Sequence, residues 1–224
     1  MKKLSLLVGG LILSTAVMAQ KPDASVHNTL EGLINWNTST LSFTSPSIRY
    51  RYFVQDNIAV RVTLGVHNSS NTDNFFEFGD GTGGTGSYES KTGAMNFSIG
   101  GEYHFGGTDR LSPYAGLDIM LGSGKVTTDG TNSDGVSFID TYTETSEAKS
   151  SMFGVNLVAG TDYYFAENFY LGLELGLGWS STTQKEGEAT TGFGGTTTKS
   201  VTAESKSSGI NTGAVGSFRL GWRF

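Results

Sequence analysis

Ten charged residues fall at spacings that put them on one kind of surface. Read with the two-residue alternation of a strand, Glu31, Arg49, Arg51, Arg61, Glu102, Asp118, Asp162, Glu174, Arg219 and Arg223 each lie opposite the apolar residues of their own segment. They comprise five arginines and five carboxylates. A face in water has no need of that balance. A closed interior does, because a buried charge without a partner is strongly destabilising. The chemistry these residues could do together is mutual neutralisation inside a sealed space.

Other stretches with chemical potential read as ordinary structure. Gly81-Thr82-Gly83-Gly84-Thr85-Gly86 spells G-x-G-x-x-G, but Ser87-Tyr88-Glu89-Ser90 does not begin the helix that a dinucleotide site requires, so a flexible loop tip is expected. The oxygen-rich run Asp129 to Gly135 has the wrong spacing for an EF-hand and lacks its closing Glu; it reads as a mobile acidic loop, with weak surface cation binding as the alternative. His27, His67 and His104 form neither an H-E-x-x-H motif nor a cluster. No metal and no cofactor are expected.

The elements that must position the charged set are short alternating segments: Leu30 to Trp36, Ile48 to Tyr52, Ile58 to Val66, Met95 to Phe105, Ala115 to Leu121, Phe153 to Phe165, Phe169 to Trp179 and a closing strand from Gly209 to Phe224. Eight strands are predicted. Short turns at Gln55 to Asn57, Gly106 to Ser112 and Ala166 to Asn168 alternate with long polar links through Pro46, over Asn68 to Thr92, over Ser123 to about Ser151 and over Ser180 to Ser208, all expected to be loops. Tyr52-Phe53, Tyr103-His104-Phe105 and Tyr163-Tyr164-Phe165 end alternate strands in a related way, as a hairpin unit repeated around a ring would.

Composition limits the rest. A chain of 224 residues is one domain, and its 14 Phe, 9 Tyr and 3 Trp oppose disorder despite 32 Gly. Without cysteine it has no disulfide framework or thiolate metal site. A mean hydropathy of −0.18 excludes a helical membrane protein but leaves open a barrel, whose strands show lipid only at every second residue. The net charge of −6 offers no basic patch for nucleic acid. Residues 1–19, with Lys2, Lys3, an apolar run and Val17-Met18-Ala19, read as a cleaved signal peptide, followed by a short segment at 20–28 and a barrel domain at 29–224.

Alternation alone leaves open which face is inside. A lipocalin-like soluble barrel would turn its oily side inward. Here the apolar face is uniformly large and the polar face rich in glycine, as a crowded interior of eight strands requires. Met95 to Phe105 and Phe169 to Trp179 are also long enough to cross a membrane.

Phe218, Leu220, Trp222 and Phe224, ending the chain on an aromatic residue, resemble the assembly signal on the closing strand of bacterial outer-membrane β-barrels. The whole mature chain resembles the small eight-stranded members of the OmpA, OmpX and OmpW types, and Arg51-Tyr52-Phe53 with Ala59-Val60-Arg61 resembles members from Bacteroidetes-type bacteria. The resemblance implies an all-β, eight-stranded antiparallel up-and-down transmembrane barrel with short periplasmic turns and long extracellular loops, in the outer membrane of a Gram-negative bacterium. It implies interface aromatics: Trp36 and Trp179 on the outer side, and Tyr52, Tyr103, Phe105, Tyr163, Phe165 and Phe224 on the inner. The partners it implies are outer-membrane lipid and the secretion and barrel-assembly machineries. No peptidoglycan-binding domain is expected after Phe224, so the anchoring role of full-length OmpA does not carry over. His67-Asn68-Ser69 has the His-x-Ser spacing of lipid A deacylase barrels, but its parity puts His67 on the lumen side without a carboxylate partner, and a structural histidine is expected. The functional expectation is a non-enzymatic scaffold with polar external loops and a plugged, charge-paired lumen. A narrow channel for small or hydrophobic solutes is the second reading, and a lipid A-modifying enzyme the third.

Overall fold

The computed structural model describes residues 25–37, 42–43, 46–78, 80–132, 142–211 and 215–224, so the expected signal peptide lies outside the described residues. The regular elements are strands: β1 (Asn28–Asn37), β2 (Ser42–Phe43), β3 (Ser47–Gln55), β4 (Ile58–Phe76), β5 (Thr85–His104), β6 (Leu111–Thr131), β7 (Tyr142–Ala166), β8 (Phe169–Gln184), β9 (Gly187–Phe193), β10 (Thr196–Thr202), β11 (Ser205–Asn211) and β12 (Val215–Arg223). Strands β3 to β8 pair each with the next, β8 pairs with β12, β12 with β1 and β1 with β3, all antiparallel. Eight strands therefore close on themselves. Closure satisfies every ladder from both sides, which is what a sheet needs in lipid. The chain end takes part: the Phe224 N–H donates to the Asn28 carbonyl at 2.8 Å, and the Asn28 N–H returns a bond to Phe224 at 3.1 Å.

Burial alternates with the large side chains turned out. Leu175 is 47% exposed, whereas Arg61 is 1% and Glu174 5% exposed, the inverse of a soluble barrel. Leu171, Leu173, Leu177, Phe97 and Ile119 share the outer belt, and Phe218, Leu220 and Trp222 continue it across the closing strand. Glycine makes the inside-out arrangement fit. A Cβ on Gly172 would stand 2.6 Å from the Arg219 guanidinium, and one on Gly221 would run into the Tyr170 ring.

Tyr52, Tyr103, Phe105, Tyr163 and Phe224 are exposed beside the short turns, with Phe165 half-buried. Tyr103 meets Phe105 edge-on at 5.4 Å, and Trp222 lies 4.5 Å from Phe224. Trp179 is exposed at the other end of its run on β8, edge-on to Phe153 at 6.2 Å. The side chain of Trp36 lies outside the described residues.

The long polar links differ from expectation. Asn68 to Thr92 is mostly not a loop: β4 and β5 stay paired from Ile58↔Tyr103 to Phe76↔Thr85. Likewise β6 and β7 pair up to Thr131↔Thr143, although 133–141 lies outside the described residues. Ser180 to Ser208 holds the end of β8, a hairpin of β9 and β10, and the start of β11. Gly194 and Gly195, with φ of 53° and 81°, supply the left-handed turn that joins β9 to β10. The physical reason is that beyond the bilayer both faces of a strand meet water. The hydrophobic alternation disappears there while the backbone ladder continues.

The G-x-G-x-x-G run sits at the tip of the β4–β5 hairpin, where Gly81 and Gly83 have φ of 84° and 88° and Asp80 accepts from the Thr82 N–H. The closing strand is divided as well. Ile210 belongs to β11, opposite Trp179, and only β12 lies beside β1.

Amide exchange in micelles tests the tall walls. Amides from Asn68 to Asn74 and from Tyr88 to Thr92 should exchange at least ~10-fold more slowly than those at Thr82 and Gly83. Equal rates would mean that these segments are loops.

Candidate functional site

Alternation on eight strands aims nine charged side chains at one volume. Arginines come from β3, β4 and β12, while β5, β6, β7 and β8 each contribute one carboxylate and β1 contributes Glu31. The opposite charges therefore meet across the lumen as well as between neighbouring strands. Arg49 grips Glu174 with two bonds of 2.9 and 3.0 Å and donates to Thr63 Oγ1 at 2.9 Å. Arg61 donates to Asp118 Oδ1 at 2.7 Å, to Glu174 at 2.8 Å and to Glu102 at 3.1 Å. Arg51 reaches Glu102 at 2.6 Å, Asp162 at 2.8 Å and Glu31 at 3.1 Å. Arg219 joins Glu31 at 2.7 Å to Asp162 at 2.5 Å. These contacts form one connected set, and all nine residues are at least 95% buried.

Arg223, expected in the same set, is different. It is buried but joins none of the ion pairs among the described residues. Its Nε donates to the Val26 carbonyl at 2.7 Å, and its guanidinium lies 4.1 Å from the centre of the Phe53 ring. The reason is position: Arg223 is the last residue of β12, at the end of the ring lined by aromatic rings. An arginine over a ring face is stabilised by the ring quadrupole. Its charge still brings the ten inward groups to formal neutrality.

Tyr114 and Tyr170, not singled out in the sequence, complete this end together with Phe53, His104 and Tyr164 of the repeated strand-end motifs. Phe53, Tyr114, Tyr164 and Tyr170 are at most 2% exposed. Tyr114 donates to Glu174, and Tyr170 bonds both Glu31 and Arg51. His104 lies 3.0 Å from Glu102 through Nε2 and 2.8 Å from the Ser112 hydroxyl through Nδ1. A carboxylate only accepts, so the proton between His104 and Glu102 is on the ring. The signal for these residues was available, since each shares the parity of the charged residue two or four places away on its own strand.

On the other side of the network the lumen widens into a cavity of about 680 Å³. Its boundary includes Arg49, Asp118 and Glu174 of the network, together with Leu33, Met120, Asn156 and Ser217. His67 also lines it, on the lumen side expected from its parity. The arrangement is a filled lower lumen beneath a cup of mixed polar and apolar lining.

Replacing Arg61 by Ala leaves Asp118, Glu102 and Glu174 short of a cation and should lower unfolding stability in detergent by ~3–5 kcal/mol. Gly221→Ala should cost ~1–3 kcal/mol by displacing the fixed Tyr170 ring. Denaturant titration with both variants checks the two values, and an unchanged midpoint for Arg61→Ala would contradict the geometry.

The family model of the OmpA-OmpF-like porin family matches residues 34–178. No curated protein matches the sequence. The crystal structure of CarO from Acinetobacter baumannii is similar at 12% identity and a TM-score of 0.41, covering 90% of this chain and 99% of that one. A major outer membrane protein from Thermus thermophilus is similar at 13% identity and a TM-score of 0.42, covering 89% and 100%. At these scores neither likeness carries an inference about this chain. The family match spans more than half of the sequence and most strands of the ring, so the chain belongs to the OmpA-OmpF-like porin family of outer-membrane β-barrels.

Proposed function

We propose that this barrel is a non-enzymatic outer-membrane scaffold whose lumen is plugged and whose tall external strands present a polar surface. The observation that carries the reading is the single network of nine buried charges spanning the ring. Eight strands leave an interior little wider than the side chains that fill it. To open a continuous path, several ion pairs would have to break together, each exposing an uncompensated charge. The barrel, in this reading, acts through what it holds outside the membrane, and the outer-membrane lipid and the assembly machinery that reads Phe218, Leu220, Trp222 and Phe224 are its general partners.

A narrow conduit is the second reading. It is favoured by the porin-like family and by the cavity of about 680 Å³ above the network, which a small solute could enter from outside. Passage would then require the arginines and carboxylates to part.

Conductance in a planar bilayer separates the two. The wild-type protein should show no steady openings, while Arg51→Ala, by removing a central cation, should introduce small ones. Steady, solute-dependent conductance of the wild type would overturn the scaffold reading.

A further inference from the structure

The outer face of the barrel repeats one pattern on four strands. On β5 the last large apolar residue of the belt is Met95, followed outward by Gly93 and then Lys91. On β6 the order is Leu121, Ser123, Lys125; on β7, Phe153, Ser151, Lys149; on β11, Ile210, Ser208, Lys206. In each case the lysine stands four residues beyond the belt on the lipid-facing parity. Lys185 falls in the same band, since its N–H donates to the Lys149 carbonyl at 2.8 Å. Five of the six lysines among the described residues thus lie at one height, and only Lys199, on the β9–β10 hairpin, does not.

That height has a meaning in a bilayer. Four residues of strand rise ~13 Å along the strand, and less along the normal because the strand is tilted. This places the lysine backbones just past the edge of the hydrocarbon, and a lysine side chain can reach back toward it. The level is that of lipid phosphates.

Charge and shape agree. Lys91 pairs with Glu89 at 2.8 Å, and Glu147 is shared by Lys125 at 2.7 Å and Lys149 at 2.6 Å. Hydrogen bonds from Lys125 and Lys149 hold the Glu147 carboxyl down to about 2. It therefore stays ionised and cancels one lysine of its pair, while Lys185 and Lys206 have no ion pair among the described residues. The band is left with surplus positive charge on a chain whose net charge is −6. Exposed lysine–carboxylate pairs contribute little and exchange readily for another anion. Glu186 and Glu204, one and two residues from Lys185 and Lys206, offset part of this surplus, and Glu188, opposite Glu147, lies farther from the membrane.

Beside Lys206 a groove of about 500 Å³ runs from the Phe153 and Trp179 rings to Ser181, Thr183 and Ser208. Ser181 is only 9% exposed, and its hydroxyl has no hydrogen-bond partner among the described residues. The groove thus offers an apolar floor at the belt and hydroxyls with a cation above it.

We propose that the band of Lys91, Lys125, Lys149, Lys185 and Lys206, with the groove above Trp179, binds a phosphorylated glycolipid of the outer leaflet. The phosphates meet the lysines, the sugar hydroxyls meet the serines and threonine, and an acyl chain lies along Trp179 and Phe153. This site is independent of whether the lumen conducts.

The test uses mature protein in phosphatidylcholine nanodiscs carrying a small fraction of diphosphoryl lipid A, released into mild detergent, with retained lipid counted by native mass spectrometry. Wild-type protein should retain lipid A at least ~5-fold better than Lys125→Gln/Lys149→Gln/Lys206→Gln, and salt should reduce retention. Lys199→Gln should behave as wild type. Faster gel migration before boiling confirms that each variant is a closed barrel. Equal retention by the triple variant, or equal retention of dephosphorylated lipid A, would overturn the proposal. So would displacement by millimolar inorganic phosphate, which would indicate a free-anion site.

Discussion

Charge neutralisation across the lumen is the constraint on which the rest of this barrel depends. The inner face of an eight-stranded ring is too narrow to hydrate many ions and too polar in sequence to be left dry. Four arginines drawn from β3, β4 and β12 face carboxylates drawn mainly from β5 to β8, so that pairs such as Arg49–Glu174 and Arg51–Asp162 tie opposite walls together. In such a space removal of one member costs more than the pair contributes, because the partner is stranded. The glycines at Gly172 and Gly221 follow from the same demand, since a guanidinium and a phenol ring occupy the space where their Cβ atoms would be.

Much of this was legible in the sequence, and for a specific reason. Within the bilayer one face of each strand meets lipid and the other meets the lumen, so the contrast at Leu173/Glu174 or Val60/Arg61 is as strong as a period-two signal can be. The same contrast gave the parity of all ten charged residues. It did not distinguish Arg223 from Arg219, because position along the barrel axis, which puts one over Phe53 and the other between Glu31 and Asp162, is not written in parity. Nor did it single out Tyr114 and Tyr170: an inward tyrosine shares its alternation with the charged residues it serves.

The external strands were hidden for the complementary reason. From Asn68 to Phe76 both faces are wet, and Ser, Thr and Asn occupy either side without consequence. The ladder holds β4 to β5 there, with one side-chain bond from the Ser70 hydroxyl to Glu89 at 3.1 Å. The outcome is an uneven rim: β4, β5, β6 and β7 run 19, 20, 21 and 25 residues, against 10, 9 and 9 for β1, β3 and β12. The wall stands high on the side that supplies carboxylates and low on the side that supplies most of the arginines. The residues that stand beyond the apolar belt therefore belong mainly to β4 through β7 and the β9–β10 hairpin.

A double-mutant cycle on Arg49 and Glu174 tests the central claim most directly. If opposite charges neutralise one another in a sealed lumen, Arg49→Met and Glu174→Gln should each destabilise the barrel in detergent by ~3–5 kcal/mol, while the double variant should lose markedly less than the sum. Additive losses would mean that the two side chains act separately, each in contact with water, and would contradict the account.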